Sequence, residues 1–107
     1  MDKALGLIGL AKRAGRIAAG EEAVKDSVRF GKARVVILAS DASDNTRKNI
    51  TDSCKYYGVP YYVAYTKEVL GHAIGNNFNA VIAVLDSGFS KNIEKYLQQS
   101  IDGGDKL

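Results

Sequence analysis

The sequence of 107 residues has few of the residues that build disulfide-linked or metal-linked folds, since it contains one cysteine and one histidine. Proline and tryptophan are also scarce, with one proline and no tryptophan. Cys54 has no second cysteine with which to form a disulfide or a zinc site, so a reducing compartment such as the cytoplasm is expected. A chain of this length buries about two-thirds of its unfolded surface, which is enough for a core without such links. The sequence therefore predicts one globular domain over residues 1–100 and a frayed tail over residues 101–107.

Long apolar runs and nucleotide-binding motifs are also missing. The longest apolar runs, residues 35–39 and 80–85, are too short to cross a bilayer, and the first residues lack the basic start and cleavage site of a signal peptide. Neither a G-x-G-x-x-G nor a G-x-x-x-x-G-K-S/T pattern occurs, so the standard dinucleotide and nucleoside-triphosphate cradles are excluded. We expect no membrane contact and no cofactor.

Side chains suited to catalysis are sparse. His72 has no acidic residue three or four positions after it, so a surface or half-buried histidine is a simpler interpretation than a general base. Cys54 falls on the apolar side of its predicted helix and is expected to be a core residue. Asp41 and Asp86 each follow a predicted strand, where magnesium ligands often lie, but each also precedes a helix, where N-capping is the simpler role. The sequence predicts neither an enzyme nor a metal site.

Strand-like and helix-like patterns alternate along the chain. The continuous runs at residues 34–39 and 80–85 are typical of strands covered on both faces, and residues 16–19 and 61–65 are shorter strand candidates. Between them, apolar residues recur at helical spacing, and helix starts are expected at Asp2, Gly20, residues 40–43, Thr66 and Asp86. Such alternation predicts an α/β fold with three layers, an α/β/α sandwich.

Positive charge is concentrated in the first half of the chain. Residues 1–55 hold eleven Lys/Arg and seven Asp/Glu, whereas residues 56–107 hold four and five. The excess lies between residues 12 and 34, and such a pole indicates a surface for a polyanion, although a solvated charged face is its commoner meaning. Gly20 opens a helix whose N–H groups suit a phosphate, and Phe78 lies in an Asn-rich loop, where it either contacts a base or folds onto the protein's own core.

Several motifs occur in order and with natural spacing between residues 7 and 89. They are L-x-x-L-A-K-R-A-G at residues 7–15, G-E-E at 20–22, G-K-A-R-V-V-I-L-A-S-D-A-S at 31–43, V-P at 59–60, T-K-x-x-L-G-x-A-I-G at 66–75 and A-V-I-A at 80–83. Together they resemble the kink-turn RNA-binding ribosomal protein superfamily, whose namesakes are the large-subunit proteins L-seven-Ae and L-thirty-e, and A-K-R-A-G and G-E-E are similar to its bacterial YlxQ-type branch. The resemblance implies a mixed four-stranded sheet, and RNA binding by the start of the second helix together with the loop before the last strand.

The second helix departs from the family's strong kink-turn binders. Those carry G-T-N-E-x-x-K, in which the Asn and Glu contact tandem sheared G·A pairs and the Lys contacts a phosphate. With Gly20 matched to the first position, the Asn, Glu and Lys positions hold Glu22, Ala23 and Asp26. Glu22 accepts from a guanine amino group but does not donate, and it repels phosphate. Lys25 supplies positive charge from a position about 100° around the helix from Asp26.

The resemblance implies a non-catalytic, ribosomal-protein-like RNA-binding protein of the cytoplasm, part of a ribonucleoprotein. Its expected partner is structured, kink-turn-like RNA, either in the ribosome or in another non-coding RNA. The expected RNA-binding residues are Lys12, Arg13, Arg16, Gly20, Glu22, Lys25, Arg29 and Phe78. Two alternatives stay open. One is a protein-interaction module that keeps the fold but has lost kink-turn binding. The other is the substrate-binding domain of a larger RNA methyltransferase, although we expect no catalytic domain beside it.

Overall fold

Helices and strands alternate along the chain in the computed structural model, which describes the backbone of residues 2–106 and the side chains of residues 2–99. The helices are α1 (Lys3–Arg13), α2 (Glu21–Arg29), α3 (Asp44–Tyr57), α4 (Lys67–Ala73) and α5 (Ser87–Lys106), and the strands are β1 (Ile17–Ala19), β2 (Val35–Leu38), β3 (Tyr61–Val63) and β4 (Val81–Val84). Within this described part, no helix combines the length and apolar character needed to cross a membrane. The side chains of residues 100–107 lie outside the described residues, so the frayed tail stays a prediction.

The four strands form one mixed sheet in the order β1-β4-β2-β3. Strand β4 lies antiparallel between β1 and β2, and β2 pairs in parallel with β3. We call the end of the sheet where β1 to β3 finish and β4 begins the loop end; it contains Gly20, Ser40 and Asn79. The opposite end, where Arg16 and Arg34 precede β1 and β2, is called the basic end.

Helices cover both faces of the sheet. One core cluster lies between the sheet and α1, α4 and α5 and includes Ile8 and Leu70. The other lies between the sheet and helices α2 and α3 and includes Val24 and Ile50. Every residue of β2 and β4 is buried, because alternate side chains enter the two clusters. The predicted three-layer α/β/α sandwich around a mixed four-stranded sheet is therefore confirmed.

Candidate nucleic-acid interface

The start of α2 differs from the start of the other helices. Those four begin on side-chain caps, in which Asp2, Ser43, Thr66 and Asp86 accept backbone N–H groups at 2.9–3.2 Å. Helix α2 begins at Gly20, and no side-chain hydrogen bond caps it within the described chain. The φ of 94° and ψ of 157° at Gly20 suit a residue without a Cβ atom. The first N–H groups of α2 are therefore available to an acceptor from another molecule.

The loop between α4 and β4, residues 74–80, lies against this open helix start. Gly20 donates its N–H to the carbonyl oxygen of Val81 at 3.1 Å. Asn79 donates to the same oxygen through Nδ2 at 3.2 Å. One carbonyl group of β4 thus joins the loop to the start of α2, and the structure brings together the two segments to which the resemblance assigns RNA binding.

The loop is held over α4, and its aromatic side chain points away from the core. The Asn79 N–H donates to the Lys67 carbonyl at 2.9 Å, and the Asn76 N–H donates to the Gly71 carbonyl at 2.8 Å. A Cβ atom on the buried Gly71 would lie 2.8 Å from backbone atoms of Phe78, so the loop rests directly on the helix. The Phe78 side chain is 67% exposed. The interpretation in which Phe78 folds onto the core is wrong, and its ring is accessible to a partner.

Glu21, the first residue of α2, is used inside the protein. Its carboxylate accepts hydrogen bonds from Thr46 Oγ1 at 2.8 Å and from Asn49 Nδ2 at 3.1 Å, both on α3. These bonds, the Thr46 bond first, hold the pKa of Glu21 below its ordinary value because they stabilise the charged form. Sequence reasoning missed this role, since 25 and 28 residues separate Glu21 from its two partners.

The residues at the family's contact positions are all exposed. Glu22 and Ala23 lie in the first turn of α2 beside its open start, and Asp26 lies one turn later. Glu22, Lys25, Asp26 and Arg29 line a groove of about 400 Å³ between α2 and α3. The two carboxylates oppose the attraction that the positive end of the helix dipole exerts on a phosphate.

Arg16, an expected RNA-binding residue, lies elsewhere in the fold, and Arg34 lies near it. The Arg16 carbonyl accepts from the Leu85 N–H at 2.9 Å, and the Arg34 N–H donates to the Val84 carbonyl at 2.8 Å. Both arginines therefore flank the end of β4, whereas Gly20 is bonded to its beginning. Because β1 separates Arg16 from Gly20, their Cα atoms lie about 13 Å apart along the strand direction.

The expected RNA-binding residues consequently divide between the two ends of the sheet. Gly20, Glu22 and Phe78 lie at the loop end. Lys12, Arg13, Arg16 and Arg29 lie at the basic end, where α1 and α2 finish. Lys25 lies between them on α2, which spans about 12 Å from its first to its last residue. The single surface implied by neighbouring positions in the sequence is thus two surfaces in the fold.

The remaining candidates for catalysis or metal binding are two helix-capping aspartates, one buried cysteine and one exposed histidine. Asp86 caps α5, and Asp41 accepts the Lys67 N–H at 2.7 Å, so it caps α4 rather than the helix that follows it in the chain. Cys54 is fully buried, and burial raises the pKa of its thiol to about 11. That burial confirms that Cys54 is a core residue. His72 is exposed on α4. Among the described residues, no group of three His, Cys, Asp or Glu side chains is placed to hold a metal ion.

The sequence matches the model of the ribosomal protein L7Ae/L30e/S12e/Gadd45 family over residues 2–94. The chain belongs to this family. It is similar to the RNA-binding protein YlxQ of Bacillus subtilis (strain 168), with 44% identity over 87 residues, which cover 81% of this chain and 87% of that protein. It is also similar to the RNA-binding protein YlxQ of Enterococcus faecium, with 38% identity over 96 residues, which cover 90% and 92% of the two chains. The resemblance to the YlxQ-type branch is confirmed.

Solved structures share the fold. A protein of unknown function from Bacillus halodurans C superimposes with a TM-score of 0.88 at 40% identity, covering 92% of this chain and 99% of that chain. The Giardia lamblia 15.5kD RNA binding protein superimposes with a TM-score of 0.74 at 23% identity, covering 89% and 82%. This second likeness shows the fold alone. Family membership also confirms the prediction that the chain is not an enzyme.

Proposed function

We propose that this protein is a ribosomal-protein-like RNA-binding protein of the cytoplasm whose loop end recognises structured, kink-turn-like RNA. The observation that carries the proposal is the open start of α2, joined through the Val81 carbonyl to the loop that presents Phe78. The names of the two YlxQ relatives, both RNA-binding proteins, support an RNA partner. A lone, buried Cys54 suits a reducing compartment.

The parts of the loop end have distinct roles in this proposal. The N–H groups of the first turn of α2, at the positive end of its dipole, bind a phosphate or a base oxygen. The exposed ring of Phe78 stacks on an unpaired base, which is how aromatic side chains commonly recognise non-helical RNA. The carboxylate of Glu22 accepts from a guanine amino group. Glu21 contributes indirectly, because its bonds to α3 fix the position of the helix start.

The same proposal predicts a lower affinity for kink-turn RNA than that of the family's strong kink-turn binders. Ala23 has no polar group with which to contact a sheared G·A pair, and Asp26 repels the phosphate that a lysine would attract. Recognition therefore depends on the backbone of the helix start and on Phe78 to a greater degree than in those binders. The target RNA must carry an exposed base within reach of the loop.

A pair of alanine variants tests the role of the loop end. Phe78→Ala should weaken binding to a kink-turn RNA by about 5- to 150-fold, because stacking of a base on an aromatic side chain contributes about 1–3 kcal/mol. The matched control is Tyr56→Ala, which removes another exposed aromatic side chain, from α3. Affinity is measured for the kink-turn RNA and for the same RNA with its sheared pairs replaced by Watson–Crick pairs.

The comparison of the two RNAs decides between functions. The wild-type protein should prefer the kink-turn RNA, Phe78→Ala should lose most of that preference, and Tyr56→Ala should keep it. Equal binding of both RNAs by the wild type would contradict kink-turn recognition. Absence of binding to either RNA would contradict the RNA-binding function and leave the protein-interaction module as the interpretation.

A further inference from the structure

The two ends of the sheet differ in charge. The carboxylates of the loop end include Asp2, Glu21, Glu22, Asp41, Asp44 and Glu68, and its cations include Lys3, Arg47, Lys48 and Lys67. Cations predominate at the basic end, and four of them lie in the last turns of α1, α2 and α3: Lys12, Arg13, Arg29 and Lys55. The positive charge of the sequence is therefore gathered away from the site at which the family resemblance places RNA.

Part of this charge stabilises the helices themselves. A cation in the last turn of a helix interacts favourably with the negative end of the helix dipole, which accounts for the four cations on α1, α2 and α3. Arg16, Lys32 and Arg34 lie outside the helices and gain no such stabilisation. All three are exposed. Asp86, which follows Leu85 at this end, is used to cap α5.

The fold fixes the spacing of the two central arginines. Arg16 and Arg34 are bonded through their backbones to Leu85 and Val84, on opposite sides of β4. Two strand spacings therefore separate their Cα atoms, which is about 10 Å. Their side chains are long enough to reach different phosphates of one nucleic-acid strand. Because the positions are set by the sheet, both guanidinium groups extend from a rigid base.

A third arginine lies at the end of α2, where a turn leads the chain towards β2. The carbonyl of Ser27 accepts from the N–H groups of Lys32 and Ala33 at 2.8 and 3.0 Å, which folds the segment after α2 back onto the helix. The Arg29 guanidinium lies 5.4 Å from the centre of the exposed Phe30 ring, at the surface of this turn. The end of α2 therefore adds an exposed arginine at the basic end.

We propose that the basic end is a second RNA-contact surface, which binds the phosphate backbone of an RNA duplex independently of the loop end. Arg16 and Arg34 each contact a separate phosphate, and Arg29, in the last turn of α2, adds positive charge at the same end of the sheet. Guanidinium groups match phosphate oxygens with paired hydrogen bonds, and such contacts position a duplex without reading its sequence. The proposal goes beyond recognition of a kink-turn, because this surface requires only a charged backbone.

The experiment uses an uninterrupted RNA duplex of roughly 16 base pairs, a length that double-stranded RNA-binding domains span. Affinity is measured between about 50 and 200 mM salt for the wild type and for the double variant Arg16→Gln/Arg34→Gln. The control, Lys48→Gln/Lys95→Gln, removes the same charge from exposed positions on α3 and α5. Thermal melting of each protein establishes that it is folded.

The arginine variant should have a slope of log affinity against log salt that is shallower by about 1.4–1.8, since each phosphate contact contributes about 0.7–0.9. The control variant should keep the wild-type slope. If the arginine variant melts early, Arg16→Lys/Arg34→Lys replaces it and should retain the slope with lower affinity. Equal slopes in the wild type and the arginine variant, or no duplex binding by the wild type, would overturn the proposal.

Two further measurements test whether the basic end acts separately from the loop end, and a third tests whether it prefers RNA to another polyanion. Phe78→Ala should bind the duplex as the wild type does, and Arg16→Gln/Arg34→Gln should keep the wild-type ratio of kink-turn to control RNA affinity. Loss of duplex binding in Phe78→Ala would show that the two ends form one site. Competition by polyglutamate as effective as that by the unlabelled duplex would contradict the assignment to RNA.

Discussion

Two neighbouring glutamates at the start of α2 have different surroundings. Glu21 points to α3 and accepts bonds from Thr46 and Asn49, whereas Glu22, about 100° further around the helix, is exposed at the groove beside the loop end. Both lie in the first turn of α2, where an acidic residue stabilises the helix start wherever it points. The partner on α3 distinguishes them, and only the folded chain brings it within reach.

Glu21 is predicted to make stability depend on pH. Because its folded pKa lies below the ordinary value of 4.5, its contribution is complete above that pH and is lost as pH falls through the folded pKa. Glu21→Gln should lower the free energy of unfolding by about 1 kcal/mol at neutral pH, the scale of a hydrogen bond. Urea unfolding at neutral and acidic pH measures this difference, which should shrink in acid.

The matched control is Glu22→Gln at the next position. Its carboxylate is exposed, so we expect a change of less than about 0.5 kcal/mol at either pH, as for most surface substitutions. Equal destabilisation by Glu21→Gln at neutral and acidic pH would show that packing, rather than the charge of the carboxylate, is responsible.

Helix starts were predictable from the sequence where the capping residue lies next to the helix in the chain. Asp2 and Thr66 cap α1 and α4 as expected, because a capping side chain bonds to a backbone group three residues later. The position of the α4–β4 loop was not predictable, since the bond from Gly20 to the Val81 carbonyl joins distant parts of the chain. Asp41 shows the same limit, because it caps a helix that begins 26 residues later.

A glycine substitution tests whether the position of the loop matters. In Gly71→Ala, the new Cβ atom would lie 2.8 Å from backbone atoms of Phe78, so the loop must shift. We expect a loss of about 1–3 kcal/mol in stability, as for other overpacked sites, together with weaker kink-turn binding. Circular dichroism establishes that the variant is folded, and thermal melting and RNA affinity measure the two effects.

Gly6→Ala is the control, because it also places alanine in a helix but meets nothing within 4 Å. Removal of a helical glycine should raise stability by up to about 1 kcal/mol and leave RNA affinity unchanged. Wild-type affinity in a folded Gly71→Ala protein would contradict the role given to the loop.

On the scale of the whole molecule, the chain crosses the sheet twice within the basic segment of the sequence. Strand β1 runs from the basic end to the loop end, and α2 returns. Residues that are neighbours in sequence, such as Arg16 and Gly20, therefore face different partners. The fold class followed from the alternation of patterns, but the division of the expected RNA-binding residues depends on strand pairing, which a charge count along the sequence does not show.

We propose that the loop end recognises a kink-turn with a weakened form of the family's contacts. The most direct test is a salt titration of affinity for a kink-turn RNA and for the same RNA without sheared pairs. It compares the wild type with the triple variant Glu22→Asn, Ala23→Glu and Asp26→Lys. All three positions are exposed, so the helix should form as before.

The triple variant should bind the kink-turn RNA more tightly than the wild type and discriminate more strongly against the control RNA. Asn and Glu restore contacts to the sheared pairs, and Asp26→Lys should steepen the slope of log affinity against log salt by about 0.7–0.9. A triple variant that binds the two RNAs equally would contradict the claim, because the restored side chains would then not be facing the RNA.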